Sequence, residues 1–236
     1  MRFELMYESF FKIIQGIPLT LEVVFLSTIC GLFLAVGVAL MRVSENKFLS
    51  NPAYYFIYVI RGTPLLLQLF FIYYGLAQFI FIRESFLWFF LEDPLFCGVL
   101  TLTLSTAAYS AEIIRGGMQS VAPGLIEAAS SMGMSKMQRL RKIILPITIR
   151  QALPAYGNEL ILMVKATSLI SIVTLMEITG IARTIISKTY APVEIFIVAG
   201  SIYLLINFLI TRLIKFSENK LNHGTYSIKY KEYELF

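Results

Sequence analysis

Glu159 and Lys165 interrupt an otherwise apolar run, and their side chains are the strongest chemistry the chain carries. Charge inside a long apolar helix is expensive, so such groups face a cavity, a partner or one another. Six positions separate them, which is about 240° around a helix, so they do not share a face. A carboxylate there suits a cationic group, and an ammonium suits a carboxylate. The plain alternative is a charge pair that holds the bundle or a dimer together. Glu112 and Arg115 have the spacing of a helical ion pair. Arg61, before Gly62-Thr63-Pro64, reads as an interface anchor or a bridge at a kink, and Glu22 as a partner for Lys12 or a snorkelling side chain. No His/Cys/Asp cluster has ligand spacing, and the single His223 lies in a polar tail, so neither a metal site nor a Ser-His-Asp set is expected. No cofactor and no catalytic residue are expected either.

The elements that position these groups must lie in a membrane. Hydrophobic residues make up 57% of the 236 and charged residues 15%, against roughly 25% charged in a soluble domain. Mean hydropathy is +0.74. Cys30 and Cys97 stand in apolar runs and read as small buried side chains, which excludes a disulfide scaffold. A spanning helix needs roughly 17 to 25 apolar residues. Five stretches qualify, at about 17–41, 62–82, 95–113, 147–176 and 193–213, with 53–60 as an apolar lead-in to the second. The expected fold class is therefore an all-α integral membrane protein of five transmembrane helices, one domain over 1–236.

Lys and Arg fix the orientation. Twelve fall on one side, among them Arg42, Lys47, Arg115, Lys136, Arg139, Arg141 and Lys142; five fall on the other, Arg2, Lys12, Arg83, Arg183 and Lys188. The twelve-charge side is cytoplasmic, so the N-terminus is outside and the C-terminus inside. The mixed charges before the first run argue against a cleaved signal peptide. The net charge of +5 is spread over loops and implies no nucleic-acid partner.

Between the third and fourth spans, residues 116–146 are not loop-like. Pro123 suits a first helical turn, 125–132 is a short helix, and Gly133 breaks it. Ser135 can cap a second short helix from Lys136 to Ile144, with Pro146 ending it. Two short helices at a membrane surface either transmit a push or cover the bundle.

Glu127-Ala128-Ala129, then Gly133, then Ile143, Leu145 and Pro146 form the pattern EAA-x3-G-x9-I-x-L-P, without departure. It resembles the signature of the permease subunits of bacterial ABC importers. Arg61-Gly62-Thr63-Pro64, the run 108–117, and Gly157-Asn158-Glu159 to Lys165-Ala166-Thr167 are similar to the polar amino-acid branch, and within it to permeases for histidine, lysine, arginine and opines. Ala166 departs from an acid common at that place. The resemblance implies an inner-membrane permease that pairs with itself or a sister permease. It also implies two cytoplasmic ATPase subunits and a periplasmic or lipid-anchored amino-acid-binding protein as partners, with membrane lipid around it. Glu127, Ala128, Ala129, Gly133, Ile143, Leu145 and Pro146 would couple to the ATPase. Glu159, Lys165, Asn158 and Thr167 would line the substrate path. No G-x-x-x-x-G-K-[ST] is present, so the chain is expected to be a transporter subunit and not an enzyme. An ion-coupled secondary carrier is the alternative; it would need paired acids and usually more spans. A membrane enzyme would need a catalytic cluster.

Overall fold

The computed structural model describes residues 2–222; His223, Lys229 and Lys231 lie outside the described residues. Every described element is helical. Among the described residues, four helices are long and apolar enough to cross a membrane, and a broken helix pair has the length and composition for a fifth crossing.

α1 (Phe3–Ile13) leads through a tight turn at 14–16 into α2 (Ile17–Arg42). α3 (Lys47–Gly62) begins where the Asn46 side chain accepts from Phe48 N–H. The second span differs from the single helix expected over 62–82. α3 stops at Gly62, and α4 (Leu65–Phe70) restarts at an angle of 104°, continuing to Gln78. Pro64 is the cause: it donates no N–H and drives Thr63 out of helical geometry, to φ −113°, ψ 143°. The freed carbonyls of Ile60 and Thr63 accept from the Gln68 amide at 2.8 and 3.0 Å. Two short helices follow, α5 (Ile80–Arg83) and α6 (Trp88–Leu91).

α7 (Pro94–Gln119) is the central helix, longer than the 95–113 expected, and opens with the Asp93 side chain accepting from Leu95 N–H. It runs parallel to α2. The Ser27 hydroxyl donates to Val99 O, while Ala35, Ala39 and Ala111 share one buried cluster. A Cβ on Gly31 would lie 2.6 Å from Thr106 Cβ, so only glycine allows this approach.

α8 (Pro123–Ser131) ends at Gly133, whose φ is +78°. Gly133 N–H donates to Ser130 O and Met134 N–H to Ala129 O, a left-handed helix stop. α9 (Lys136–Arg139) is opened by a capping box between Ser135 and Gln138. Here the structure corrects the expectation that Pro146 ends this helix. The chain passes through one wide turn at Leu140–Ile144 into α10 (Leu145–Ala166), so Lys136–Val173 forms a single spanning element. Pro146 sits in the first turn of α10, where the wide turn has already released the hydrogen bond its nitrogen cannot make.

The fourth span tightens after Ala166 into a narrow turn, Thr167–Val173, and Thr174 is left-handed at φ 70°. α11 (Ile178–Thr189) and α12 (Pro192–Asn222) complete the chain. Glu177, fully buried, accepts from Gly180 N–H at 2.9 Å and from the Tyr203 hydroxyl at 2.6 Å, tying α11 to α12. Cys97 is buried, but Cys30 is exposed on α2, contrary to the sequence reading.

Candidate functional site

Glu159 is 8% exposed and projects from α10 into a cavity of about 190 Å³. The helix break supplies Thr63, Leu65 and Gln68; α7 supplies Ser105 and Tyr109; α10 adds Met163 and Ala166. No described residue makes a hydrogen bond or ion pair to the Glu159 carboxylate, although Arg61 lies within electrostatic range. The Gln68 amide N is consumed by the break, where it also donates to Thr63 Oγ1 at 2.8 Å. Its Oε1 is buried and has no partner among the described residues. The cavity is thus lined by a carboxylate with unspent acceptor capacity and by a glutamine whose buried amide oxygen has no partner, an arrangement that suits a donor-rich cation.

Thr63 and Tyr109 also line a second cavity of about 660 Å³ that collects Arg42, Arg61, Glu112 and Arg115. Arg61 stacks 4.9 Å above the Tyr109 ring and Arg42 lies 5.1 Å from the Tyr54 ring. Glu112 and Arg115 pair as their spacing implied. Nε donates to Oε1 at 2.9 Å and Nη2 to Oε2 at 2.7 Å. Three guanidinium groups face one carboxylate here, so the second cavity is cationic where the first is anionic.

The structure does not bring the other three path candidates into the Glu159 cavity. Asn158 and Lys165 are on the exposed face of α10. Thr167 is buried, with its hydroxyl donating to Val164 O at 2.7 Å. Glu22 is exposed beside an apolar groove of about 840 Å³ between α2, α10 and α12. Gln68, Thr63, Ser105 and Tyr109 escaped the sequence reading as site residues, although Thr63 and Tyr109 fall in the stretches 61–64 and 108–117 that carry the resemblance and Gln68 is a lone amide in the apolar run 64–77.

At the far end of α7, α8 shows Glu127 and Ala128 to the outside while Ala129 is buried. Leu125, Met132 and Met137 are exposed there, and Arg139 donates to the Ser130 hydroxyl, locking α9 against α8. Ile143, Leu145 and Pro146 lie where α9 passes into α10.

Long apolar helices around paired charged cavities, with a polar-edged helical knob at one end, define a membrane transport subunit. The chain belongs to the family described as binding-protein-dependent transport system inner membrane component, which matches residues 27–223. It is similar to the nopaline transport system permease protein NocM of Agrobacterium fabrum, 53% identical over 94% of this chain and 92% of that one. It is also similar to the histidine/lysine/arginine/ornithine transport system permease protein HisM of Escherichia coli, 41% identical over 87% of each. Among solved structures, an amino acid ABC transporter crystallised with histidines matches at a TM-score of 0.83 and 35% identity, over 93% of this chain and 99% of that one. The protein is thus the permease subunit of an ABC importer and not an enzyme; ATP hydrolysis belongs to a separate subunit.

Proposed function

We propose that this permease moves a basic amino acid or an opine inward, with the cationic end of the substrate received at Glu159. The observation that carries the reading is the buried Glu159 carboxylate facing a cavity beside the unpartnered Gln68 Oε1. A guanidinium or ammonium entering there supplies the missing donors through charge-assisted bonds. Arg61, which lines the second cavity and stacks on Tyr109 where the two cavities adjoin, receives the carboxylate end. Nopaline and the basic amino acids, which the relatives' names specify, combine a cation with carboxylate groups in this way. Asn158 and Lys165 lie on an exposed face of α10, where a second permease copy or a sister permease would complete the path.

Glu127, Ala128 and the exposed Leu125 and Met132 form the surface that docks an ATPase subunit, two of which serve the complex, with Gly133, Ile143, Leu145 and Pro146 shaping its connection to α10. Closure of the ATPases tilts the spans and alternates access. The α8 end is cytoplasmic and the N-terminus outside, as the Lys/Arg count favours. A soluble or lipid-anchored binding protein delivers substrate to the opposite end.

The test uses the complete transporter in vesicles. Glu159→Gln should slow uptake of cationic substrates while binding protein still stimulates the ATPase. Failure to assemble, or equal loss for neutral and cationic substrates, would assign Glu159 to assembly instead.

A further inference from the structure

Between the broken second span and α7, residues 79–92 expose a dense run of rings. Phe86 is 78% exposed, Phe81 71% and Phe89 69%, with Ile80 and Leu87 beside them. The rings touch one another: Phe86 to Phe90 at 5.5 Å, Phe89 to Phe90 at 5.2 Å, and Phe90 to Phe96 at 5.4 Å. Opposite them, Ile82, Trp88 and Leu91 pack inward against Ile72 and Cys97. The segment is therefore held to the bundle by one side and shows the other unpaired. Charged residues interrupt the run once, at Arg83 and Glu84, and follow it at Glu92 and Asp93; Arg83 lies 5.9 Å from the Trp88 ring.

We infer that residues 79–92 form an aromatic wedge seated in the lipid headgroup region, at the end of the bundle opposite α8. Aromatic rings with a flanking cation are what that boundary selects. The wedge continues the apolar surface of the two spans that it joins, so lipid reaching those spans reaches it without a break. A soluble partner fits poorly. Six consecutive apolar residues, Phe86 to Leu91, contain no polar side chain to form a wettable rim. A partner that comes and goes would leave that surface in water between encounters. The wedge anchors the end of the broken span at Gln78 to the bilayer, and any delivering protein lands elsewhere on this end.

Fluorescence quenching tests the placement in the assembled transporter in phosphatidylcholine nanodiscs. Cys30→Ser and Cys97→Ala remove the native thiols, and Phe89→Cys carries an NBD label. Lipid bearing a doxyl group at carbon 5 should lower emission by about twofold or more, with iodide having less than about a tenth of that effect. Adding binding protein should change neither. Phe86→Cys should give the same result, and it serves where the first replacement disturbs assembly. Quenching by iodide without quenching by lipid would put the wedge in water. Shielding from both would put it under another protein chain. Either result overturns the inference.

Discussion

The Glu159 cavity and the α8–α9 knob treat their polar groups in opposite ways. In the knob everything is settled locally. Ser135 and Gln138 cap each other's backbone, the Ser130 and Ser131 hydroxyls bond back to Ile126 O and Glu127 O, and Gly133 closes the helix. In the cavity, three distant stretches meet and leave an acid and an amide oxygen unsatisfied. On the proposed reading, the surface for a protein partner is finished before the partner arrives, and the site for a small ligand is kept incomplete because the ligand supplies the remaining bonds.

The sharpest way to break this contrast is at Gly133. A Cβ there meets nothing within 4 Å, so the constraint is the backbone angle and not space. Any side chain there pays a left-handed penalty of about 1 kcal/mol; Gly133→Asp, which also adds a charge to the surface of the knob, should abolish transport, a loss of about 100-fold or more, while the protein still inserts, and Gly133→Ala, which adds none, should keep part of it. Wild-type uptake by the Asp variant would show that the knob transmits nothing. Next in size is Glu159→Gln, expected to cut cationic-substrate uptake about tenfold, the worth of one charge-assisted bond. Measured in parallel, the two variants should differ in kind: the first uncouples ATP hydrolysis, the second leaves it stimulated.

A smaller effect is expected at the knob's own bonds. Ser135→Ala removes the cap and should cost about 1 kcal/mol of local stability, read as faster amide exchange over 136–139 with uptake lowered by less than about threefold. A cavity-like collapse of transport from this change would mean that the knob is as unforgiving as the site. Last comes a labelling comparison with no effect on rate. With native thiols removed, Lys188→Cys should react with an impermeant thiol reagent in intact cells and Ser135→Cys should not; the reverse pattern would invert the two ends.

The same contrast explains what could be read from the sequence. The knob is continuous in the chain, so its caps, its glycine and its spacing appear as a pattern before any folding. The ion pair of Glu112 and Arg115 was legible for the same reason, being three residues apart. Gln68, Thr63, Ser105 and Tyr109 become a site only when α4, α7 and α10 pack, and nothing local marks them as neighbours. Lys165 stands outside the Glu159 cavity because the 240° offset between them places it on another face of α10, as the spacing alone implied. The proline rule erred at Pro146 and held at Pro64. Whether the turn before a proline has already given up its hydrogen bond depends on the wide turn at 140–144, which leaves no mark in composition.

That wide turn has a mechanical consequence. Because α9, the wide turn, α10 and the narrow turn at Thr167–Val173 form one 38-residue rod, the knob and the charged cavity are two points on a single lever. Twenty residues separate Arg139 from Glu159 along it, about 30 Å at helical rise. A rocking of about 10° at the knob would therefore sweep the carboxylate through about 5 Å, more than the reach of a hydrogen bond. Had Pro146 cut the rod, the same push would have been spent bending a hinge, and under the proposed coupling the work of the ATPase would not have reached the cargo.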